Sequence, residues 1–330
     1  MKKLIAILAA AIMVFSIAAC GSINDKNIAI LWQGSNTASV PGTLIDTMER
    51  AMYTENISYV HYGAQGDSKA QLEQAEKAVK EGCAALMVNL VDAASAQQIV
   101  DIAKEKDVPV VFFDCEVEDS VLNGYDKAAC VSTDIDSVAS VQGKLIKEYI
   151  EKNTDKKGNN KLDRNNDGKI SYAAFGEVEA TVKATELDLE LIEDPQANGD
   201  KVELIITDKE ETALELLKKL WEKEYNNKML KTHFIPLFTV GSDADASEFY
   251  DGKELEEDEL ETFVYTVTEI IGKGRIAGTA IVDRDGISAA AAKITKNLIK
   301  GNDIFDSIAE ENVSGNKNVK IPYTYLMAKV

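Results

Sequence analysis

The chain has 330 residues and a formal net charge of −20. A charge balance this acidic argues against nucleic acid or an anionic lipid surface as partner, since both would repel it. The length suffices for two domains of ordinary size.

Lys2-Lys3 precede LIAILAAAIMVFSIAAC, a basic start followed by an apolar run and small residues, which is the pattern of a secretory leader. Ile17-Ala18-Ala19-Cys20 has the form of a lipobox, so residues 1–19 are expected to be removed and Cys20 to carry lipid, with residues 20–27 as a tether. The competing reading, an uncleaved anchor helix, is disfavoured because the run is short for a bilayer span. From Asn27 the pattern alternates between strand and helix. NIAILWQ predicts a strand, GTLIDTMERAMYTE a helix, ISYVHYGA a strand and QLEQAEKAVKEG a helix closed by Gly82. CAALMVNLVD then predicts a strand buried on both faces, AASAQQIVDIAKEKD a helix with Ala96, Ile99, Val100 and Ala103 on one side, and VPVVFFD a second buried strand ending at Asp114. Strand, helix and strand in this span make a βαβ unit.

Further on, AACVSTD predicts a strand and SVASVQGKLIKEYIEKN a helix, followed by strands SYAAFGE and KVELIIT and the helix EETALELLKKLWEKEY. Strands FIPLFTVGS, FVYTVTE and RIAGTAIVD lead to the helix SAAAAKITKNLIKG and a last strand, NVKIPYTYL. The alternation means an α/β fold with parallel sheets. KELEEDELE reads as a solvated acidic surface segment. Of the cysteines, Cys83 opens a buried strand and reads as an inert core thiol, while Cys115 and Cys130 either pair outside the cytoplasm or remain free thiols.

The stretch NLVDAASAQQIVDIAKEKDVPVVFFD with GYDKAACVSTD resembles the galactose/glucose-binding proteins of bacterial ABC transporters, part of the periplasmic sugar-binding superfamily that also holds the ribose-binding proteins. The similarity is strong from Gly82 to Gly143 and runs in order, in patches, from Ile28 to Tyr323. The resemblance implies a two-lobed type I periplasmic-binding-protein fold in which the chain crosses between lobes three times, near Asp114, near 281–283 and near 317–320. Lobe one is then expected at 25–113 with 283–317, and lobe two at 114–282 with 318–330. With the lipid expected at Cys20, the reading is an extracytoplasmic, membrane-anchored monomer that, as the resemblance implies, closes its lobes over a small polar solute and presents it to an ABC permease.

Asp163-Arg164-Asn165-Asn166-Asp167-Gly168-Lys169-Ile170-Ser171 has the D-x-N-x-D-G form of a calcium loop: oxygens of Asp163, Asn165, Asp167 and Ser171 and the Lys169 carbonyl can converge on one ion, with Gly168 at the sharp turn. The bidentate Glu of an EF-hand is replaced by Ala174. By resemblance a later strand supplies it, yet the strand expected to do so, 234–240, contains no Glu, so the sixth ligand is unassigned. Structural Ca²⁺ is the expected cofactor, against a bland reading of the loop as a polar turn.

The family holds sugars between aromatic rings and reads their hydroxyls with Asp, Asn and Arg. By resemblance Asn89 matches a sugar-contacting Asn of the family and Asp114 an Asp that ribose-binding relatives use, whose neighbouring Arg is here Cys115. The first loop, 34–39, lacks the family's Asp and Phe and offers Asn36. In lobe two Gly176-Glu177 remains of a Gly-Glu-Pro-Gly loop, Glu186 stands where an Arg is expected and Glu210 where a stacking Trp is expected. Ser242-Asp243, Thr268-Glu269 and Val282-Asp283 stand for an Asn, an Asp and an Asn. Candidate ligand residues are therefore Asn36, Asn89, Asp114, Asp243 and Asp283, with galactose and glucose themselves expected to bind poorly. No nucleophile elbow, phosphate loop or dinucleotide fingerprint is present and His61 and His233 fall on separate strands, so no enzyme is expected. The alternative to transport is a sensor or interaction module on the same scaffold whose cleft no longer binds sugar.

Overall fold

Short β-branched and apolar runs, too short for helices of their own, alternate here with longer amphipathic stretches, and that alternation is what folds. The computed structural model describes residues 27–35, 43–195, 198–222, 235–241 and 276–327. The chain divides into two units: one takes the described residues up to Thr133 with Arg284–Ile321, the other Asp134–Asp283 with the residues from Pro322 on.

The first unit begins β1 (Asn27–Trp32), α1 (Leu44–Glu55), β2 (Ser58–Gly63), α2 (Ser68–Lys80), β3 (Ala85–Val88), α3 (Ala96–Glu105), β4 (Val110–Phe113), α4 (Asp119–Asn123) and β5 (Ala128–Asp134). Helix α2 shows how local sequence sets the bounds. The Asp67 carboxylate accepts from the backbone N–H of Lys69 and Ala70, supplying two of the orphan amides of the first turn. At the other end Gly82 takes φ +84° and the Cys83 N–H reaches back to the Ala78 carbonyl at 3.1 Å, a closure that suits a residue without Cβ. Strands β3 and β4 are buried at every position, so both faces of the sheet are covered.

The second unit holds α5 (Val138–Lys152), β6 (Ile170–Phe175), α6 (Glu179–Thr185), β7 (Leu189–Leu191), β8 (Leu204–Thr207), α7 (Glu210–Glu222), β9 (Leu237–Val240) and β10 (Gly278–Ile281). The chain then returns through α8 (Arg284–Lys300), β11 (Val313–Ser314) and β12 (Asn318–Pro322) before β13 (Thr324–Met327). The first sheet has seven strands in the order β11-β12-β5-β4-β3-β1-β2, the second six in the order β13-β10-β9-β8-β6-β7. Pairing is parallel from β2 through β5 and from β7 through β10, while β11 with β12 and β13 with β10 are antiparallel. Each sheet thus contains the doubly wound order 2-1-3-4-5. The winding reverses between β1 and β3 in the first and between β6 and β8 in the second, and ligands of such sheets bind beyond the carboxyl ends of the strands at that reversal.

Two details differ from the sequence expectation. The first division falls after Thr133 rather than near Asp114, because β5 pairs in register with β4 (Phe112 with Cys130, Phe113 with Val131) and belongs to the same sheet. The expected single last strand is two strands in two sheets, separated at Tyr323 just after Pro322, which has no N–H to continue a ladder. The expected strand FVYTVTE lies outside the described residues.

Candidate functional site

In the first unit three strand ends meet at Asn89. It follows β3 directly and is only 3% exposed. Its Oδ1 accepts from the Gln33 N–H at 3.4 Å, and its Nδ2 faces the carbonyls of Phe113 and Asp114 at 3.4 and 3.5 Å. These are long contacts, but together they tie the carboxyl ends of β1, β3 and β4. Gln71, fully buried on α2, holds the next turn by donating to the Asn89 carbonyl at 2.9 Å and accepting from the Val91 N–H at 3.1 Å. The Asn89 side chain is therefore committed to backbone at the reversal point of the sheet.

Asp114 ends β4 with φ +51°, a left-handed conformation that Asp tolerates better than most side chains, and its N–H donates to the Val131 carbonyl at 2.9 Å. Burial pushes its carboxyl above the usual carboxylate range, and the Arg284 guanidinium pulls it back part of the way. The turn thus holds a half-buried acid at a strand end. The structure brings Asn89 and Asp114 together. Asp283 follows β10 immediately before α8, and Asn36, Asp243 and Cys20 lie outside the described residues.

At the carboxyl end of β1, Trp32 donates its indole N–H to His61 Nδ1 at 2.8 Å, and His61 Nε2 meets Glu49 Oε1 at 3.1 Å. Indole can only donate, so Nδ1 carries no proton and Nε2 holds the hydrogen that goes to Glu49. Burial lowers the His61 pKa, and the Glu49 carboxylate opposes that shift. Trp32 also packs edge-on against Phe113, with ring centroids 5.2 Å apart.

In the second unit the corresponding reversal point is acidic. Gly176, just after β6, has φ +91°, and a Cβ there would lie 2.0 Å from Asp208 Oδ1, so only glycine lets the Asp208 carboxylate reach the Glu177 N–H at 3.0 Å. Glu210, 4% exposed, stands against Gly241, where a Cβ would lie 2.3 Å from Glu210 Oε2. Buried Gln142 bridges Thr181 Oγ1 (2.8 Å) and the Thr207 carbonyl (2.9 Å), fastening α5, α6 and the end of β8. Glu186 does not belong to this rim. It caps the far end of α6 and pairs with Lys147 at 2.8 Å.

The loop at 163–171 also belongs to the second unit. Asp163 accepts from the Asp167 and Gly168 N–H groups at 3.2 and 2.9 Å, Asn165 Oδ1 from the Asp167 N–H at 3.0 Å, and Asp167 from the Lys169 N–H at 2.9 Å. Glu203, which the sequence reading missed, closes the loop from beneath. Its carboxylate is 3% exposed and accepts from the N–H groups of Arg164 (2.6 Å), Asn165 (3.4 Å) and Ser171 (3.0 Å). The register explains the placement: Tyr172 pairs with Leu204, so the preceding residues Ser171 and Glu203 stand side by side, and the Glu203 N–H donates to the Ser171 carbonyl at 2.9 Å. The one sequence signal was an acid heading the apolar run ELIIT, where water cannot be its partner. Among the described residues no group of three or more His, Cys, Asp or Glu side chains is assembled to hold a metal ion, because the loop's acids are turned onto its own amides.

Residues 28–303 match the periplasmic binding protein domain. The chain is 25% identical over 308 residues to the D-galactose/methyl-galactoside binding periplasmic protein MglB of Haemophilus influenzae, covering 91% of this chain and 88% of that one. Among solved structures it is similar to the XylFII–LytSN complex mutant D103A, with TM-score 0.55, 12% identity and coverage of 92% and 98%. It is likewise similar to an ABC transporter periplasmic solute binding protein from Actinobacillus succinogenes 130z with bound D-allose, with TM-score 0.52, 12% identity and coverage of 91% and 97%. The structural likeness establishes the two-unit α/β fold of type I binding proteins, and the domain match over most of the length establishes kinship: the chain belongs to the periplasmic binding protein family.

Proposed function

We propose that the protein is an extracytoplasmic solute-binding component of an ABC importer, that it takes a small polyhydroxylated solute of the sugar class, and that Asp114 reads that solute. The observation that carries this reading is the Asn89–Asp114 junction. A doubly wound sheet places its ligand beyond the strand ends at the reversal of winding, and there Asn89 fixes the backbone while the half-buried Asp114 carboxylate is held in a left-handed turn. The relatives support the class of solute, one being named for galactose and methyl galactoside and another holding D-allose. Galactose and glucose themselves are not the proposed ligands, since Glu210 stands where the family's stacking Trp is expected. A thermal-shift screen over monosaccharides, polyols, amino acids and cations tests the reading. A polyhydroxylated compound should raise the melting temperature by mass action, and a response to amino acids alone would overturn it.

Two finer elements complete the proposal. Cys20 carries lipid and holds the protein at the outer face of the cell membrane, as the Ile17-Ala18-Ala19-Cys20 pattern indicates. Ca²⁺ is held by Asp163, Asn165, Asp167, the Lys169 carbonyl and Glu203, with Ser171 beside them. What fits a hard cation here is the buried Glu203 carboxylate at the base of a loop of oxygen donors, which supplies the missing acid. The ion's contribution is structural: it would neutralise Glu203 and fasten the start of β6 to the start of β8.

A further inference from the structure

We propose that Cys115 and Cys130 form a dithiol that closes to a disulfide beside the ligand site, with Cys115 as the entering sulfur and Cys130 as the resolving one. The backbone brings them together. Strand β5 runs parallel to β4 with Cys130 opposite Phe112, and the left-handed Asp114 turns the chain after β4 back toward β5. Cys130 Sγ consequently lies 3.2 Å from the Cys115 carbonyl oxygen, and both side chains belong to the same apolar cluster under α3 and α4. Both thiols are free in this structure. Bond formation therefore asks for rotation of side chains rather than displacement of strands.

Accessibility assigns the roles. Cys115 is partly exposed and Cys130 is 1% exposed, so an external reagent meets Cys115 first. The chemistry agrees. The adjacent Cys130 thiol holds Cys115 below the usual thiol range against the opposing effect of burial, while the nearness of Cys115 and burial push Cys130 well above it. Cys83 is a contrast: 5% exposed, it is pushed by burial up to about 12 and stays inert. The reaction is thiol–disulfide exchange with a small external disulfide. The Cys115 thiolate attacks one sulfur of that disulfide and expels one thiolate, leaving a mixed disulfide. Cys130 then gives its proton to solvent, attacks the Cys115 sulfur and expels the second thiolate. Two protein thiols are oxidised and the external disulfide is reduced to two thiols. Because Cys115 adjoins Asp114, the closed bond would pin the turn that carries the proposed ligand-reading acid, and a binding protein outside the cytoplasm meets the oxidising conditions this needs.

The test exposes the purified native protein to oxidised glutathione, alkylates the remaining thiols after unfolding and maps the peptides by mass spectrometry. The expected result is a Cys115–Cys130 crosslink with Cys83 alkylated. Cys130→Ser should instead retain glutathione on Cys115, and Cys115→Ser should show neither adduct nor crosslink. Wild-type protein in which Cys115 and Cys130 both remain alkylatable overturns the proposal, as does a glutathione adduct on wild-type Cys115 that persists without resolving.

Discussion

Removing Glu203 tests how the loop at 163–171 is held. In Glu203→Ala the N–H groups of Arg164 and Ser171 lose a charged acceptor at 2.6 and 3.0 Å, while the Asn165 contact at 3.4 Å is too long to count fully. Hydrogen bonds to charged groups contribute about 1.5–3 kcal/mol each, so two good ones at a site 3% exposed give an expected loss of about 3–6 kcal/mol, to which the cavity adds. Denaturant unfolding of the wild type and the variant, each with calcium and with EDTA, separates two contributions. The variant should be less stable in EDTA by about that amount, because its amides are then orphaned, and calcium should restore little, because the buried acid is gone. A variant within about 0.5 kcal/mol of the wild type in EDTA would refute the hydrogen-bond account. A full calcium response in the variant would refute Glu203 as a ligand.

Other outcomes follow from the same geometry. Asp167→Ala should abolish any lowering of the melting temperature by EDTA, and calorimetry that finds no calcium binding at millimolar concentration would remove the ion from the account, since even weak extracellular sites fall at about 10⁻⁴ to 10⁻³ M. His61 is held neutral by Trp32 and by burial, so its native pKa lies below the ordinary 6.5; the unfolded chain then binds more protons, and this contribution to stability is lost as pH falls from about 6.5 through the native value. The NMR titration of His61, one of 2 histidines, checks the sign, and a native value above 6.5 would contradict it. A Cβ at Gly143 on α5 would meet Ala184 Cβ at 2.7 Å and the Thr181 carbonyl oxygen at 2.9 Å, so Gly143→Ala should cost about 1–3 kcal/mol in thermal or denaturant unfolding as α5 and α6 are pushed apart. Cys20→Ser should move the protein from the membrane fraction to the soluble one, and unchanged membrane association would exclude the lipid.

What could be read from the sequence was local. The apolar runs ending at Asn89 and Asp114 announce buried parallel strands because such strands need no polar face, and the spacing of Ala96, Ile99, Val100 and Ala103 announces the crossover between them. The acids of the loop at 163–171 were visible because they sit within a few residues of one another. What was not visible depended on register between distant segments. Glu203 reaches the loop only because β8 pairs beside β6, some way along the chain, and nothing in 234–240 hinted at that substitution of strand. The resemblance puts the first division near Asp114, whereas β5 adds one more strand to the same sheet. Glu186, which stands where the resemblance expects an Arg, belongs instead to Lys147 at the far end of α6, a pairing between α5 and α6 that linear spacing does not show.

The central claim is that a polyhydroxylated solute is read by Asp114. Its most direct test is titration calorimetry of the wild type and Asp114→Asn with the solute that raises the melting temperature most in the screen. Asn keeps the size and the tolerance of the left-handed turn but replaces one accepting oxygen with a donor and removes the charge. A hydrogen bond to a charged acceptor contributes about 1.5–3 kcal/mol, so affinity should fall by about 10-fold to 150-fold while the unliganded variant unfolds much like the wild type. Equal affinity in the two proteins, with one-to-one stoichiometry in both, would show that the solute is held elsewhere.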